Sequence, residues 1–153
     1  MTATIADHAD VILEMDIATG QLLLGREKRF DAAHQIWIRG SALDIPLGDD
    51  SIEGAVCVRL SHHLYSQQER ERLLTELLRV ARRFVVFHYV DGQSPRYLFR
   101  ALRSRFSGGK GRRNWMTRDE IRTVVQRHGA RIIADVPARP LQPHRYVLIE
   151  RSG

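Results

Sequence analysis

The amino-acid sequence predicts an α/β fold in which helices cover both faces of a mostly parallel β-sheet. Short apolar stretches alternate with amphipathic stretches, which is the pattern of strands and helices that follow one another along a chain. Two of the predicted strands, 36–38 and 52–60, are predominantly apolar, as in sheets that are buried on both faces. The loop between them contains Pro46, Gly48 and two aspartates, so it is too polar to belong to the core.

Length and composition are those of one soluble domain spanning residues 1–153. Hydrophobic residues make up 43% of the chain and charged residues 27%, which is ordinary for a globular protein. We see neither an apolar stretch long enough for a membrane nor a secretion signal near the N-terminus. The single cysteine, Cys57, excludes an internal disulfide, fits a cytoplasmic location and is predicted to be a small buried hydrophobe.

The first predicted strand, 11–16, ends in the carboxylate of Asp16. Thr19 is suited to cap a following helix, which we predict over residues 20–33. The apolar strands 36–38 and 52–60 come next, with the polar loop between them.

A capping box begins the next helix, because Ser66 stands three residues before Glu69. Leucines at helical spacing give this helix one apolar side. An apolar strand over 84–89 follows, and Ser94-Pro95 has the pattern of a further helix start, with proline at the first helical position.

A second capping box, 117–120, predicts a helix that ends at Gly129, a residue suited to the position after a helix. Two last strands are predicted near 132–136 and 146–150. The whole order of elements is therefore α/β.

The stretch from Ile36 to Leu64 resembles the class I S-adenosylmethionine-dependent methyltransferases. In that family the third strand, an acidic loop and the fourth strand follow the pattern "GDA-x-x-LPF-x-D-x-SFD-x-V…HHL". The counterparts here are Gly40-Ser41-Ala42, Leu43-Asp44-Ile45-Pro46-Leu47, Asp50-Ser51-Ile52-Glu53 and His62-His63-Leu64. The resemblance covers most of the chain and implies a Rossmann-like methyltransferase fold, S-adenosylmethionine as cofactor, and methyl transfer to a small-molecule or lipid-like acceptor.

One part of the family pattern is missing from this sequence. The family's first strand leads into a glycine-rich turn, "E/D-x-G-x-G-x-G", and residues 1–10 contain no such turn. The resemblance therefore implies an N-terminally incomplete, truncated fold. Because the missing strand lies between the second and fourth strands of the family, we expect either that these two pair directly or that a homodimer or a partner chain completes the sheet.

The resemblance also implies a set of cofactor-binding residues. Asp16 would accept hydrogen bonds from the ribose hydroxyls, although it is also placed to serve as a helix-start carboxylate near Thr19. Ser41 takes the place of the family's adenine-binding aspartate, and its neutral hydroxyl would make a weaker contact. The complete predicted set is Asp16, Ile17, Ser41, Ala42, Leu43 and Arg59.

Three residues are predicted to face the methyl acceptor. His62 and His63 follow the fourth family strand and Tyr89 ends the fifth; a helix-entry pair with one ring packed inside is an equally good reading of the two histidines. The spacing of the histidines does not suit zinc, so no metal is predicted. No catalytic residue is assigned, because methyl transfer depends mainly on alignment and needs a base only when the acceptor loses a proton.

Two other functions stay open. The missing glycine-rich turn and Ser41 favour a non-catalytic, methyltransferase-like partner subunit. The segment 96–113 is basic within a chain of net charge +6, which favours binding to an anionic membrane or, less well, to nucleic acid.

Overall fold

The computed structural model describes residues 5, 7–27, 34–95, 97 and 114–151. The chain divides into two compact units, Met1–Pro46 and Leu47–Gly153. The strands are β1 Val11–Asp16, β2 His34–Arg39, β3 Ile52–Cys57, β4 Ala81–Val90, β5 Ala130–Pro137 and β6 His144–Arg151. The helices are α1 Thr19–Glu27, α2 Gln67–Val80 and α3 Arg118–Arg127, and a short 3-10 helix spans Ser61–His63.

The first unit is a strand–helix–strand arrangement. β1 pairs in parallel with β2, in a register that joins Val11 to His34 and Asp16 to Arg39. Helix α1 begins at Thr19, because the carbonyl of Ala18 already accepts the N–H groups of Gln21 and Leu22. Thr19 is therefore the first helical residue, and the predicted cap at Thr19 is wrong by one position.

The second unit is built on a four-stranded sheet of order β3-β4-β6-β5. β3 pairs in parallel with β4, whereas β4 with β6 and β5 with β6 are antiparallel. The predicted closing pair of strands is confirmed, and each of the two strands is longer at both ends than predicted. The α/β class is confirmed, but the described sheets contain as many antiparallel as parallel pairings.

Helices α2 and α3 supply the apolar side chains that cover the second sheet. Both predicted capping boxes are present, at Ser66 with Glu69 and at Thr117 with Glu120. Gly129 has a φ of 63°, as predicted for the residue that ends α3. The buried core combines Val85, Phe87, Tyr89, Val147 and Ile149 of the sheet with Leu73, Leu74, Leu77, Leu78, Ile121, Val124 and Val125 of the helices.

The predicted direct pairing across the missing strand is not found. Among the described strands, β1 pairs only with β2 and β3 pairs only with β4, and the predicted alternative, completion of the sheet by another chain, stays a prediction. Each of these strands therefore keeps one edge whose N–H and C=O groups have no neighbouring strand in the described part of the chain.

The helix predicted to begin at Ser94-Pro95 is described only at its start. The Ser94 hydroxyl accepts the N–H of Tyr97 at 3.3 Å, as a cap does. The rest of this helix and most of the basic 96–113 segment lie outside the described residues. No helix in the described ranges is long and apolar enough to cross a membrane.

Candidate functional site

Two of the predicted cofactor-binding segments meet at one edge of the first unit. Asp16 ends β1, and Gly40 follows the last residue of β2. The Gly40 N–H donates to the Asp16 carbonyl at 3.1 Å. Because β1 and β2 are parallel, the Asp16 side chain and the turn over residues 41–44 both lie at the carboxyl end of this small sheet, where ligands bind in open α/β folds.

The Asp16 carboxylate is half-buried and only partly used. Its Oδ1 accepts the Ala18 N–H at 2.7 Å, so Asp16 does serve at the start of α1. Its Oδ2 makes no hydrogen bond within the described residues. The carboxylate therefore has one oxygen for the local turn and one for a ligand hydroxyl. The adjacent Ile17 is 69% exposed.

The turn after β2 determines which backbone groups are available. The Ser41 hydroxyl accepts the Leu43 N–H at 3.2 Å, and the Ser41 carbonyl accepts the Asp44 N–H at 3.0 Å. These bonds leave the Ala42 N–H without a hydrogen bond inside the described part of the chain. Since Ser41 already serves its own turn, Ala42 is the better donor to a ring nitrogen of a ligand. Asp44 is exposed.

The second unit presents a different turn at the carboxyl end of β3. Arg59 has a φ of 62°, in the left-handed region that residues other than glycine adopt at an energy cost. The Arg59 N–H donates to Nδ1 of His88 on β4 at 3.2 Å, and the Ser61 hydroxyl donates to the His88 carbonyl at 2.9 Å. His88 thus anchors the turn that carries the predicted residues Arg59, His62 and His63.

Four histidines gather beside this turn, and we call His62, His63, His88 and His144 the histidine cluster. His88 Nε2 lies 3.1 Å from His144 Nδ1, with the two rings stacked at 5.2 Å between centroids. The His62 ring lies 4.1 Å from the ring of His63, 6.0 Å from that of His88 and 6.1 Å from that of His144. His62 and His63 sit in a helical turn, so their rings touch instead of pointing in opposite directions.

The environment of the cluster disfavours the charged forms of His62 and His88. Burial, followed by the neighbouring His144, His62 and Arg59, lowers the pKa of His88 to about 4. Burial, then His63, His144 and Arg59, also lowers the pKa of His62. The Nδ1 of His62 is buried without a hydrogen-bond partner. A neutral imidazole with an unsatisfied ring nitrogen can accept a proton or a hydrogen bond.

Tyr89 lies on the opposite face of β4 from His88, because neighbouring residues of a strand alternate. It is completely buried, and its hydroxyl donates to Asp135 Oδ2 at 2.8 Å. Arg145 completes this network by donating to Asp135 Oδ1 at 2.8 Å. The buried position of Tyr89 does not favour its predicted contact with a substrate.

His144 is the residue of the cluster that the sequence analysis missed. The last strand was predicted to begin near Tyr146, but β6 begins at His144, which pairs with Val90 at the end of β4. A strand start recognised at His144 would have indicated that this histidine lies on the strand that pairs with β4. No group of metal-binding side chains occurs in the described ranges.

Comparison with known proteins identifies the family. The family model described as a methyltransferase domain matches residues 1–100. Magnesium protoporphyrin IX methyltransferase from Synechocystis, solved with bound SAH, has a TM-score of 0.75 at 14% identity, over 98% of this chain and 68% of that one. A SAM-dependent methyltransferase from Methanosarcina mazei has a TM-score of 0.69 at 13% identity, over 99% of this chain and 86% of that one.

A search of curated proteins finds no matching sequence. The identities with solved structures are low, so these similarities concern the fold. The family match covers about two thirds of the sequence and agrees with the pattern recognised between Ile36 and Leu64. The chain belongs to the methyltransferase domain family, with the fold of the class I S-adenosylmethionine-dependent enzymes.

Proposed function

We propose that this protein binds S-adenosylmethionine and transfers its methyl group to a small-molecule or lipid-like acceptor. The observation that carries the proposal is the carboxyl edge of β1 and β2, where the unused Asp16 Oδ2 and the unused Ala42 N–H follow neighbouring parallel strands. Relatives of the same fold were solved with SAM or SAH bound, which supports this choice of cofactor.

The residues of this edge suit the adenosine part of the cofactor. Asp16 Oδ2 accepts a ribose hydroxyl, while Asp16 Oδ1 keeps its bond to the start of α1. The Ala42 N–H donates to the adenine ring, and the half-buried Leu43 side chain offers apolar surface for the ring face. Ser41 contributes less than the aspartate of the family pattern, because it is neutral and its hydroxyl already accepts from Leu43.

The acceptor is assigned to the turn after β3. S-adenosylmethionine supplies an electrophilic methyl group, so the protein has mainly to align the acceptor, which is worth about 7–11 kcal/mol in favourable cases. The exposed His63 and the half-buried His62 are the side chains for that contact, and the exposed Arg59, predicted to bind the cofactor, lies in the same turn. Where the acceptor must lose a proton, the uncharged His62 ring serves as the base.

A binding experiment tests the cofactor assignment. Titration calorimetry of the full chain with S-adenosylmethionine is expected to give saturable heat. Asp16→Ala removes a charge-assisted hydrogen bond and is expected to weaken binding about tenfold to a hundredfold. Asp44→Ala is the matched control, since it removes an exposed carboxylate from the neighbouring turn and should change the affinity less than twofold.

Two results would contradict the proposal. One is the absence of heat together with no shift in thermal unfolding when the cofactor is added. The other is an equal loss of affinity in both variants, which would indicate a general charge effect. Saturable binding without methyl transfer to any acceptor would favour the alternative of a non-catalytic subunit.

We also propose that a second copy of this chain, or a partner chain, supplies a strand to the free edge of β3. The strand pairs only with β4 among the described residues, although its Ala55 and Cys57 are buried. Light scattering over a range of protein concentrations is expected to show a dimer. A monomer at every concentration that nevertheless binds cofactor would exclude the second copy.

A further inference from the structure

We propose that His88 and His144 are positioning residues that hold the turn carrying Arg59, His62 and His63 in place, and that they do so in one defined tautomeric state. One part of this inference rests on the proposed function, namely that the turn faces the methyl acceptor. The arrangement itself is argued from hydrogen bonds within the second unit.

The turn needs an anchor because its backbone is strained. Arg59 is a non-glycine residue in the left-handed region, with a φ of 62°. Its N–H donates to the His88 ring, and two residues later the Ser61 hydroxyl donates to the His88 carbonyl. A single residue of β4 therefore holds two points of the turn, one through its side chain and one through its backbone.

The hydrogen bonds determine where each proton lies. A backbone N–H can only donate, so His88 Nδ1 must be an acceptor and carry no proton. Neutral His88 then has its proton on Nε2 and donates it to His144 Nδ1 over 3.1 Å. His144 in turn carries its own proton on Nε2. The pair forms a chain of two directed hydrogen bonds that begins at the backbone of Arg59.

Protonation would break this chain at its first link. A second proton on His88 has to enter at Nδ1, where it meets the Arg59 N–H instead of accepting it. The groups that surround His88 do not favour the added charge: Arg59 and His62 come from the turn, and His144 and Tyr146 from β6. Burial and the neighbouring His144, His62 and Arg59 keep the pKa of His88 near 4, so the anchored state is the stable one at neutral pH.

His88 acts through the turn and not on the acceptor, because only 2% of the residue is exposed. The side chains that face outward are those of Arg59 and His63, with His62 half-buried beside them. Loss of the His88 ring should therefore displace the turn without removing any contact that His88 itself makes to an acceptor.

Nuclear magnetic resonance of the full chain tests the tautomers directly. Two-bond proton–nitrogen spectra of ¹⁵N-histidine-labelled protein are recorded from pH 7.5 to 4.5. We expect His88 to keep its proton on Nε2 down to about pH 5, whereas free histidine in the same buffer titrates near its usual value of about 6.5. A proton on His88 Nδ1 at pH 7.5, or a charged His88 at pH 6, would overturn the inference.

Two substitutions at His88 distinguish the effect of its hydrogen bond to the turn from the effect of its side-chain volume. In His88→Asn, the amide oxygen Oδ1 takes the place of Nδ1 and still accepts the Arg59 N–H. The chemical shift of the Arg59 amide should therefore stay close to its wild-type value. In His88→Leu, the acceptor is lost, and the Arg59 and His62 signals should move. Equal displacement in the two variants would overturn the inference.

If His88→Leu does not fold, the pH series decides the matter. Acidification toward pH 4.5 should begin to move the Arg59 signal of the wild type and leave that of His88→Asn in place. Calorimetry with S-adenosylmethionine on the same samples distinguishes the two proposals. No binding together with the expected spectra would refute the proposed function and support the anchoring role of His88. Binding together with a proton on His88 Nδ1 would support the proposed function and refute the anchoring role.

Discussion

At the scale of single residues, we expect the hydroxyl of the buried Tyr89 on β4 to stabilise the core. The Tyr89 hydroxyl donates to Asp135 and lies in the core with Arg145 nearby. Tyr89→Phe removes one neutral donor and leaves the part-buried Asp135 carboxylate without this hydrogen bond. We expect the free energy of unfolding to fall by about 1–2 kcal/mol, measured by urea denaturation.

Tyr146→Phe is the matched control for this prediction. Tyr146 lies on the other face of the sheet, against the His88 ring, and its hydroxyl makes no hydrogen bond within the described residues. The control should change stability by only a few tenths of a kcal/mol. A smaller loss for Tyr89→Phe than for Tyr146→Phe would mean that the Tyr89 hydroxyl does not stabilise the core.

The sequence identified those residues whose role is set by near neighbours in the chain. The burial of Cys57 and the helix-ending Gly129 were both predicted, because each depends on its own strand or helix end. The burial of Tyr89 and the pairing of His88 with His144 were not predicted. They depend on the face that each residue of β4 presents and on the register with β6, which no local pattern specifies.

At the scale of elements, the two capping boxes are expected to stabilise their helices to a similar extent. The Ser66 hydroxyl accepts the Glu69 N–H at 3.1 Å, and Thr117 does the same for Glu120 at 3.1 Å. Replacement of either cap by alanine leaves a helix N–H unsatisfied and is expected to cost about 1 kcal/mol, measured by chemical denaturation.

Gln68→Ala serves as the control for the cap at Ser66. Gln68 is exposed in the first turn of α2, so its loss should change stability by a few tenths of a kcal/mol at most. If Ser66→Ala and Gln68→Ala have the same effect, the helix start is stabilised by its tertiary contacts and not by the cap.

Element type was predictable here, and element boundaries were less so. The capping boxes located the starts of α2 and α3, because the hydrogen bonds of a cap lie within four residues. Strand ends depend instead on how far a partner strand extends. β4 begins at Ala81, three residues before the apolar run, where Ala81 pairs with Ile52 of β3.

At the scale of the whole molecule, the sequence predicted the family but not the arrangement of the sheets. The family resemblance was recognised between Ile36 and Leu64, and the family model matches residues 1–100, which include this stretch. The pairing of strands is a long-range property. Of the two predicted alternatives, direct pairing of β1 with β3 is not found among the described strands, and completion of the sheet by another chain stays a prediction. Local patterns contain no information on which of two edges stays open.

Stability as a function of pH is a property of the whole molecule that follows from its buried and half-buried histidines. Burial lowers the pKa of His88 to about 4 and also lowers the pKa values of His62 and His128. In the unfolded chain these groups protonate near the usual value of about 6.5. Between about pH 6.5 and 4 the unfolded state therefore binds more protons than the folded state, and the free energy of unfolding must fall as the pH falls.

The expected loss for His88 alone is on the order of 3 kcal/mol between pH 7 and pH 4, since each unit of pKa difference corresponds to about 1.4 kcal/mol. Urea denaturation at pH 7.5, 6 and 5 measures the slope. The His88→Asn variant has no titrating group at this position, so its free energy of unfolding should depend less on pH. His62 and His128 account for the pH dependence that remains. Identical slopes for the variant and the wild type would place the acid sensitivity elsewhere and would exclude His88 as its source.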